Sequence, residues 1–357
     1  MAPAGDVQET ADGKRNKEAG KSSAECGGKL SLEPLLQRAI SDVSITGLSL
    51  QELGIDHSGA KLIASTLNRN TAITSLDLSN NRIGASGAKH IGRLFGQNSH
   101  VLSLNFGYNG IGDMGVDLFI GAAKLNKTLL SLDLSGNGIT EIGLLHVLDI
   151  FSTNTVLEDL RLGDNDISDQ GMDLFGHKLA ASSNLISLDL KDNKIGDEGA
   201  KQFAVNLYVN RTLKYLNFSY NYIGDSGMES LAAALRENQT LSTLAFQYNL
   251  ISDDGVESLM DALQENDSIT VLDLALNAVG DSGAEKIAMH LEKNCVLRSL
   301  DLGHTDMSAE GAGRLALALQ KNSTLYNLVL AGIDILPQDA SLSEKKLHEN
   351  RAAHAEF

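Results

Sequence analysis

The chain has 357 residues, 46 acidic and 29 basic side chains for a formal net charge of −17, 42% hydrophobic residues and no tryptophan. That acidity argues against nucleic acid and anionic membrane surfaces as ligands and favours a basic partner, which it would steer electrostatically. Two cysteines, Cys26 and Cys295, are too few for a disulfide framework and fit a reducing compartment, and no apolar run reaches the roughly 20 residues of a membrane span.

In chain order, residues 1–28 are rich in Gly, Ala, Lys, Glu and Ser, lack the apolar segment of a signal peptide and read as a disordered polar tail. Residues 29–44, with Leu30, Leu32, Leu35, Leu36 and Ile40, read as an amphipathic N-terminal cap. From 45 to 336 one pattern recurs every 28 residues without insertion, and the first leucine of each unit runs Leu48, Leu76, Leu104 and so on to Leu328, eleven in all. A second apolar column two residues on runs from Leu50 to Leu330, so each unit opens with a short alternating strand. A third runs from Ile55 to Ile335. Self-similarity of this regularity predicts a solenoid with one strand per unit.

Between the second and third columns, Asn81, Asn109, Asn137, Asn165, Asn193, Asn221, Asn249 and Asn277 occupy the exit from the strand, failing only at Leu53, Thr305 and Ile333 near the ends. An amide there can satisfy buried backbone groups of neighbouring coils, so the column reads as a structural ladder. The second half of each unit has helical spacing, as in Ala88, Ile91, Gly92 and Phe95. The helices start with acids (Asp113, Asp169, Asp197, Asp225, Asp253, Asp281), which suit the helix dipole. They end on asparagines such as Asn70, Asn98 and Asn126, expected as left-handed terminators. A glycine column from Gly59 to Gly311 implies close backbone packing. The polar segment 337–357 reads as a charged tail or a helix capping the last coil.

These columns resemble the ribonuclease-inhibitor class of leucine-rich repeats over residues 45–336. The resemblance implies an α/β horseshoe with a parallel inner sheet and outer helices, built of about eleven repeats. Adjacent strands about 4.8 Å apart and helices about 8–10 Å apart would curve the stack. For function the resemblance leaves several readings open, because the same repeats serve in nuclease inhibitors, NOD-like receptor sensors, Ran GTPase-activating proteins and ciliary scaffolds.

Two strings look catalytic. Gly110-Ile111-Gly112-Asp113-Met114-Gly115 matches a dinucleotide-binding turn with Asp133 downstream, but Gly112 and Gly115 belong to the repeat's own glycine columns. Gly224-Asp225-Ser226-Gly227 and its copy at Gly280 echo a serine-protease nucleophile segment without a histidine column beside it. The histidines have no metal-ligand spacing. Sequons at Asn126, Asn210, Asn217, Asn238, Asn266 and Asn322 mostly restate the helix-ending asparagine. Catalytic residues, cofactors and metals are therefore not expected.

The column between the strand leucines includes Asp77, Asp133, Arg161, Asp189, Asp273 and Asp301, with Arg161 expected between Asp133 and Asp189 and with Asp273 and Asp301 able to grip a basic side chain. Tyr215, Tyr220, Tyr222 and Tyr248 fall in two adjacent units, and Leu250, Val271 and Leu276 extend this patch. Tyrosine joins a large ring to a polar tip and is enriched at interface hot spots. The sequence thus reads as a non-enzymatic, cytoplasmic protein-binding scaffold or regulatory subunit, free or within a larger assembly such as an axoneme. The alternatives are a GTPase activator of the Ran type and a relative of NOD-like receptor sensors.

Overall fold

The computed structural model describes residues 32–152, 154–181 and 184–354; the polar tail 1–28 and Leu30 lie outside them. Eleven three-residue strands, from β1 (Gly47–Ser49) to β11 (Asn327–Val329), form one open parallel sheet in sequential order. Each strand is centred on the first leucine of its unit, and successive leucines pair from Leu48↔Leu76 to Leu300↔Leu328. One helix follows each strand and packs on its neighbours in the outer layer. The three apolar columns fill the space between sheet and helices, with Leu76, Leu78 and Ile83 all buried. Phenylalanines thicken this core where Phe203 meets Phe218 edge-to-face at 5.3 Å between ring centroids and Phe218 stacks on Phe246 at 6.0 Å.

The asparagine column is the ladder expected of it. Asn221 donates from Nδ2 to the carbonyls of Leu190, Phe218 and Ser219 at 3.0–3.2 Å, and its Oδ1 accepts from Ile195 N at 3.0 Å. One amide therefore satisfies backbone groups in its own coil and in the coil before. At the C-terminal end Thr305 keeps part of the pattern, donating from Oγ1 to Leu302 O.

The helix-ending asparagines form a second ladder, and here the expectation of a left-handed terminator is corrected. Asn98 and Asn238 are extended, with φ of −95° and −82°. The extended backbone lets Asn98 Nδ2 reach back to the carbonyls of Leu67 and Asn70 while its Oδ1 accepts from His100 N and Val101 N. This ladder runs into both end helices. Asn70 donates to Ala39 O of α1 (Leu32–Ser41), and Asn350 of α12 (Pro337–His354) donates to Asn322 O and Leu325 O. In α1, Leu36 and Ala39 are the buried residues, whereas Ile40, expected inward, is 43% exposed because it lies one position past the buried face. The sequon asparagines Asn126, Asn210, Asn217, Asn238, Asn266 and Asn322 are all buried, which closes them to glycan attachment in the folded chain.

The acids at the helix starts do more than complement a dipole: each caps the helix of the next coil. Asp225 accepts from Ser252 N at 2.8 Å, Ser252 Oγ at 2.6 Å and Gly255 N at 3.0 Å, and Asp197 and Asp281 act alike on their own next coils. These bonds hold the Asp281 carboxyl below its ordinary pKa, the Ser308 hydroxyl contributing most. Where the acid is missing, the loop changes. His57 and Ala85 stand in the acid column, and the residues they would cap, Gly84 and Gly112, turn left-handed at φ +60° and +59°. Where the acid is present, the same position is extended, as at Gly224 (φ −105°) and Ser252 (φ −104°). The glycine column follows from the same contact: a Cβ on Gly255 would stand 2.4 Å from Asp225 Oδ1 and 3.0 Å from Ile251 Cγ2.

Two predictions test this frame. Asn221→Ala, which strands several buried backbone groups, should cost about 3 kcal/mol in urea unfolding; a loss below about 0.5 kcal/mol would show that the ladder does not hold the coils. Asp225→Ala should cost about 1–2 kcal/mol, and Gly255→Ala should destabilise although alanine is the better helix former. The double variant should cost less than the sum by more than about 0.5 kcal/mol, since removing the carboxylate makes room for the methyl group. Strict additivity would contradict the contact.

Candidate functional site

Leaving each strand, the backbone turns through a left-handed residue. The position four after the first leucine has positive φ in every coil, at Glu52, Asn80, Tyr108, Gly136, Asp164, Asp192, Tyr220, Tyr248, Leu276, His304 and Gly332. The turn continues the inter-coil ladder past the strand, since Tyr220 N donates to Gln247 O at 2.7 Å and Tyr248 N to Ala275 O at 2.9 Å. Glycine, asparagine and aspartate accept this conformation readily, whereas other side chains carry a penalty of about 1–2 kcal/mol. Gly136 and Gly332 show that glycine serves here. Tyr108, Tyr220, Tyr248, Leu276 and His304 are therefore bulky side chains held in a strained row.

These side chains line one rim of the sheet face. The rings of Tyr220 and Tyr248 stack at 5.1 Å and 18°, and Lys191 Nζ stands 4.8 Å over the Tyr220 ring. Tyr108 lies across Gly136, where a Cβ would meet its ring at 2.3 Å, and hydrogen-bonds Asp164 of the coil beyond. Burial first, and then Asp164, push its hydroxyl pKa up to about 12. His304 lies across Gly332 in the same way.

Of the tyrosines and leucines singled out in the sequence, Tyr220, Tyr248 and Leu276 share this column. Tyr222 and Leu250 occupy a different one, two residues on, where they are each 60% exposed and bridge to Gly196 and Gly224 of the coil before. Tyr248 is 57% exposed. Tyr215 stands inside β7 (Tyr215–Asn217), half-buried beside Ser187 and Thr243; burial and then Asp189 raise its pKa. Val271 and Leu276 are half-buried. Tyr108, His304 and Asp164 were missed in the sequence. Aligning the fourth residue after each first leucine would have exposed Tyr108 and His304 as large side chains in a column that also takes Asn, Asp, Gly and Glu, whereas Asp164 is an ordinary member of that column and carries no such signal.

The strand carboxylates are partly engaged. Asp77, Asp133, Asp189, Asp273 and Asp301 each accept through Oδ1 from the backbone N–H two residues on, as at Asp273 to Ala275 N (3.0 Å) and Asp301 to Gly303 N (2.9 Å). Burial raises the Asp273 pKa and the charge of Asp301 adds to the rise, so the pair presents concentrated negative charge on the face. Arg161 is not held between Asp133 and Asp189 as expected: its Nε pairs with Asp159 of its own strand at 3.2 Å, because alternate residues point the same way. It still acts on Asp189 through space.

The catalytic-looking strings resolve into the frame. Gly110 is a left-handed residue of the loop, Gly112 is the left-handed first residue of the helix Gly112–Ala123, and Gly115 packs where a Cβ would meet Ile111 at 2.6 Å. In the two serine segments Asp225 and Asp281 are caps of the next coil. Among the described residues, no group of three or more His, Cys, Asp or Glu side chains is placed to hold a metal, and no helix is long and apolar enough to cross a membrane.

The chain matches the family model described as "Leucine Rich repeat" in nine segments, 69–92, 97–119, 125–148, 153–176, 181–204, 209–232, 237–260, 265–288 and 293–316. No curated protein matches it. Among solved structures it is similar to an internalin of Listeria monocytogenes, with 18% identity, 88% of this chain and 91% of that one covered, and a TM-score of 0.47. It is also similar to the tropomodulin C-terminal domain of Caenorhabditis elegans (11% identity, 52% and 95% covered, TM-score 0.35) and to the actin-binding site 2 of leiomodin-1 (17% identity, 45% and 76% covered, TM-score 0.30). These three likenesses are too distant to bear on function. The repeat model covers more than half of the chain, the 28-residue register runs through all eleven strands, and on both counts the chain belongs to the leucine-rich repeat family.

Proposed function

We propose that the chain is a non-enzymatic intracellular scaffold or regulatory subunit that binds a protein partner through the sheet face and its tyrosine rim. The observation that carries this reading is the row Tyr220, Tyr248 and Leu276, held left-handed in three consecutive coils at positions where Gly136 and Gly332 do the backbone's work without strain. Strain kept at a surface is a mark of function, and stacked tyrosines supply large contact area at low entropic cost. Tyr222 and Leu250 extend the contact area beyond the rim. Asp273 and Asp301 give the partner's matching surface a basic character. A GTPase activator and a relative of NOD-like receptor sensors are the other functions the repeat class implies, and no arrangement described above favours either.

Capture from native lysate with wild type and a Tyr220→Ser, Tyr248→Ser double variant, checked by circular dichroism, tests the reading. The variant should stay folded and lose at least about tenfold in affinity for the captured protein. Tyr248→Gly and Leu276→Gly should likewise lose binding while unfolding within about 1 kcal/mol of wild type, because relief of backbone strain offsets lost packing. Equal capture by both forms would refute the rim as an interface; capture of a small GTPase whose hydrolysis is accelerated would replace the scaffold by an activator.

A pH prediction follows from Asp273. Its pKa is raised in the free chain by burial and by Asp301, and a bound cation favours the ionised form. Affinity should therefore rise as pH increases through that raised value, so that binding is weaker at about pH 4 than at about pH 7. Asp273→Asn should flatten this dependence in a titration of affinity against pH; an unchanged slope would exclude Asp273 from the contact.

A further inference from the structure

Away from the rim, a cleft of about 380 Å³ opens on the helical side between α9 (Asp253–Leu263) and α10 (Asp281–Leu291). The helix register sets Ala122 against Gly92 and Asn206 against Gly176 in neighbouring coils, thirty residues apart. The same spacing sets Ala234 opposite Ala204, Ala262 opposite Ala232 and Ala318 opposite Ala288. In each of these pairs at least one residue is glycine or alanine, whereas between α9 and α10 His290 stands opposite Met260, a pairing of two large residues also found at Ile120 with Ile150 and Leu148 with Lys178. Both line the cleft, with Leu263, Met289 and Val296 supplying more apolar wall and Cys295 exposed at its edge.

His290 is 6% exposed, and its Nε2 is buried with no hydrogen-bond partner. An unpaired buried polar atom costs about 1–3 kcal/mol, and alanine fills this position in the coils on either side, as Ala262 and Ala318. Burial pushes the imidazole pKa down to about 4, so the ring is neutral and offers a hydrogen bond without a charge. The charged side chains at the cleft are mixed in sign: Lys286 is paired with Glu257, and Asp261, Asp267 and Lys293 also line it. That mixture favours neither an anion nor a cation.

We propose that this cleft binds an uncharged small organic molecule with an apolar body and one hydroxyl group, the flexible methionines Met260 and Met289 of the lining shifting to open the buried His290 Nε2 to the hydroxyl. A hydroxyl both donates and accepts, so it satisfies either tautomer of the ring, and a volume of this size lies within the range of small-ligand pockets. The site is separate from the tyrosine rim and does not rest on the scaffold reading.

Phenol is the probe. Titrated into the labelled full chain and followed by NMR, it should give saturable shifts at the methyl groups of Met260, Leu263 and Met289 and at the His290 ring nitrogens. Benzene should bind at least fivefold more weakly, and His290→Ala should weaken phenol at least tenfold while leaving the thermal midpoint unchanged or higher. In a Cys26→Ser background, phenol should also slow alkylation of Cys295 by iodoacetamide, which tests the site without altering His290. Absence of saturable shifts, equal binding of benzene and phenol, or undiminished phenol binding by His290→Ala would each overturn the proposal.

Discussion

Everything in this molecule hangs on one constraint: a coil cannot bury its turn without the amide of the coil that follows. Asn81 accepts from Leu53 N and Ile55 N and donates to Leu50 O, Leu78 O and Ser79 O, so one side chain closes five backbone hydrogen bonds over two coils. Such an amide has fixed reach, and the spacing between the groups it joins is set by chain length. An inserted residue between two rungs would leave buried polar groups unpaired in both coils. The unbroken 28-residue period is the sequence-level expression of that geometry. The second asparagine ladder applies the same requirement on the helical side and carries it into α1 and α12, so the end helices are tied by the same chemistry as the coils they cover.

The apolar columns, the strand register and the first asparagine ladder could be read directly, because period alone decides which residues share a column. Period does not say which way a side chain reaches. The acids at the helix starts looked like dipole partners, yet their principal contacts are in the next coil, and only three-dimensional stacking shows why glycine recurs against them. The helix-ending asparagines were misread for a related reason: asparagine tolerates a left-handed backbone, and nothing local reveals that an extended one lets its amide span two coils.

The same limit applies to the candidate site. Composition drew attention to Tyr220 and Tyr248, whose stacking the structure shows, but grouped them with Tyr215, which belongs inside the sheet, and passed over Tyr108. The quality that unites the rim is backbone conformation, and no side-chain pattern records it except where glycine appears among tyrosines. The carboxylates of the sheet face have a double nature of similar kind: one oxygen closes a turn, while the charge remains available to the face. Repeats of this design leave much of one surface with light duties in folding, because amides and leucines at other columns hold most of the frame. Large residues kept on that surface against local preference are then best explained by what they touch outside the chain.

Hydrogen exchange of the full chain, alone and with the protein it captures, distinguishes a partner seated on the tyrosine rim from one seated on the helices. New protection should concentrate at residues 217–224, 245–252 and 273–280, where the rim turns lie, with the outer helices unchanged. Protection confined to the helical side, with those turns exchanging as in the free chain, would contradict seating on the rim.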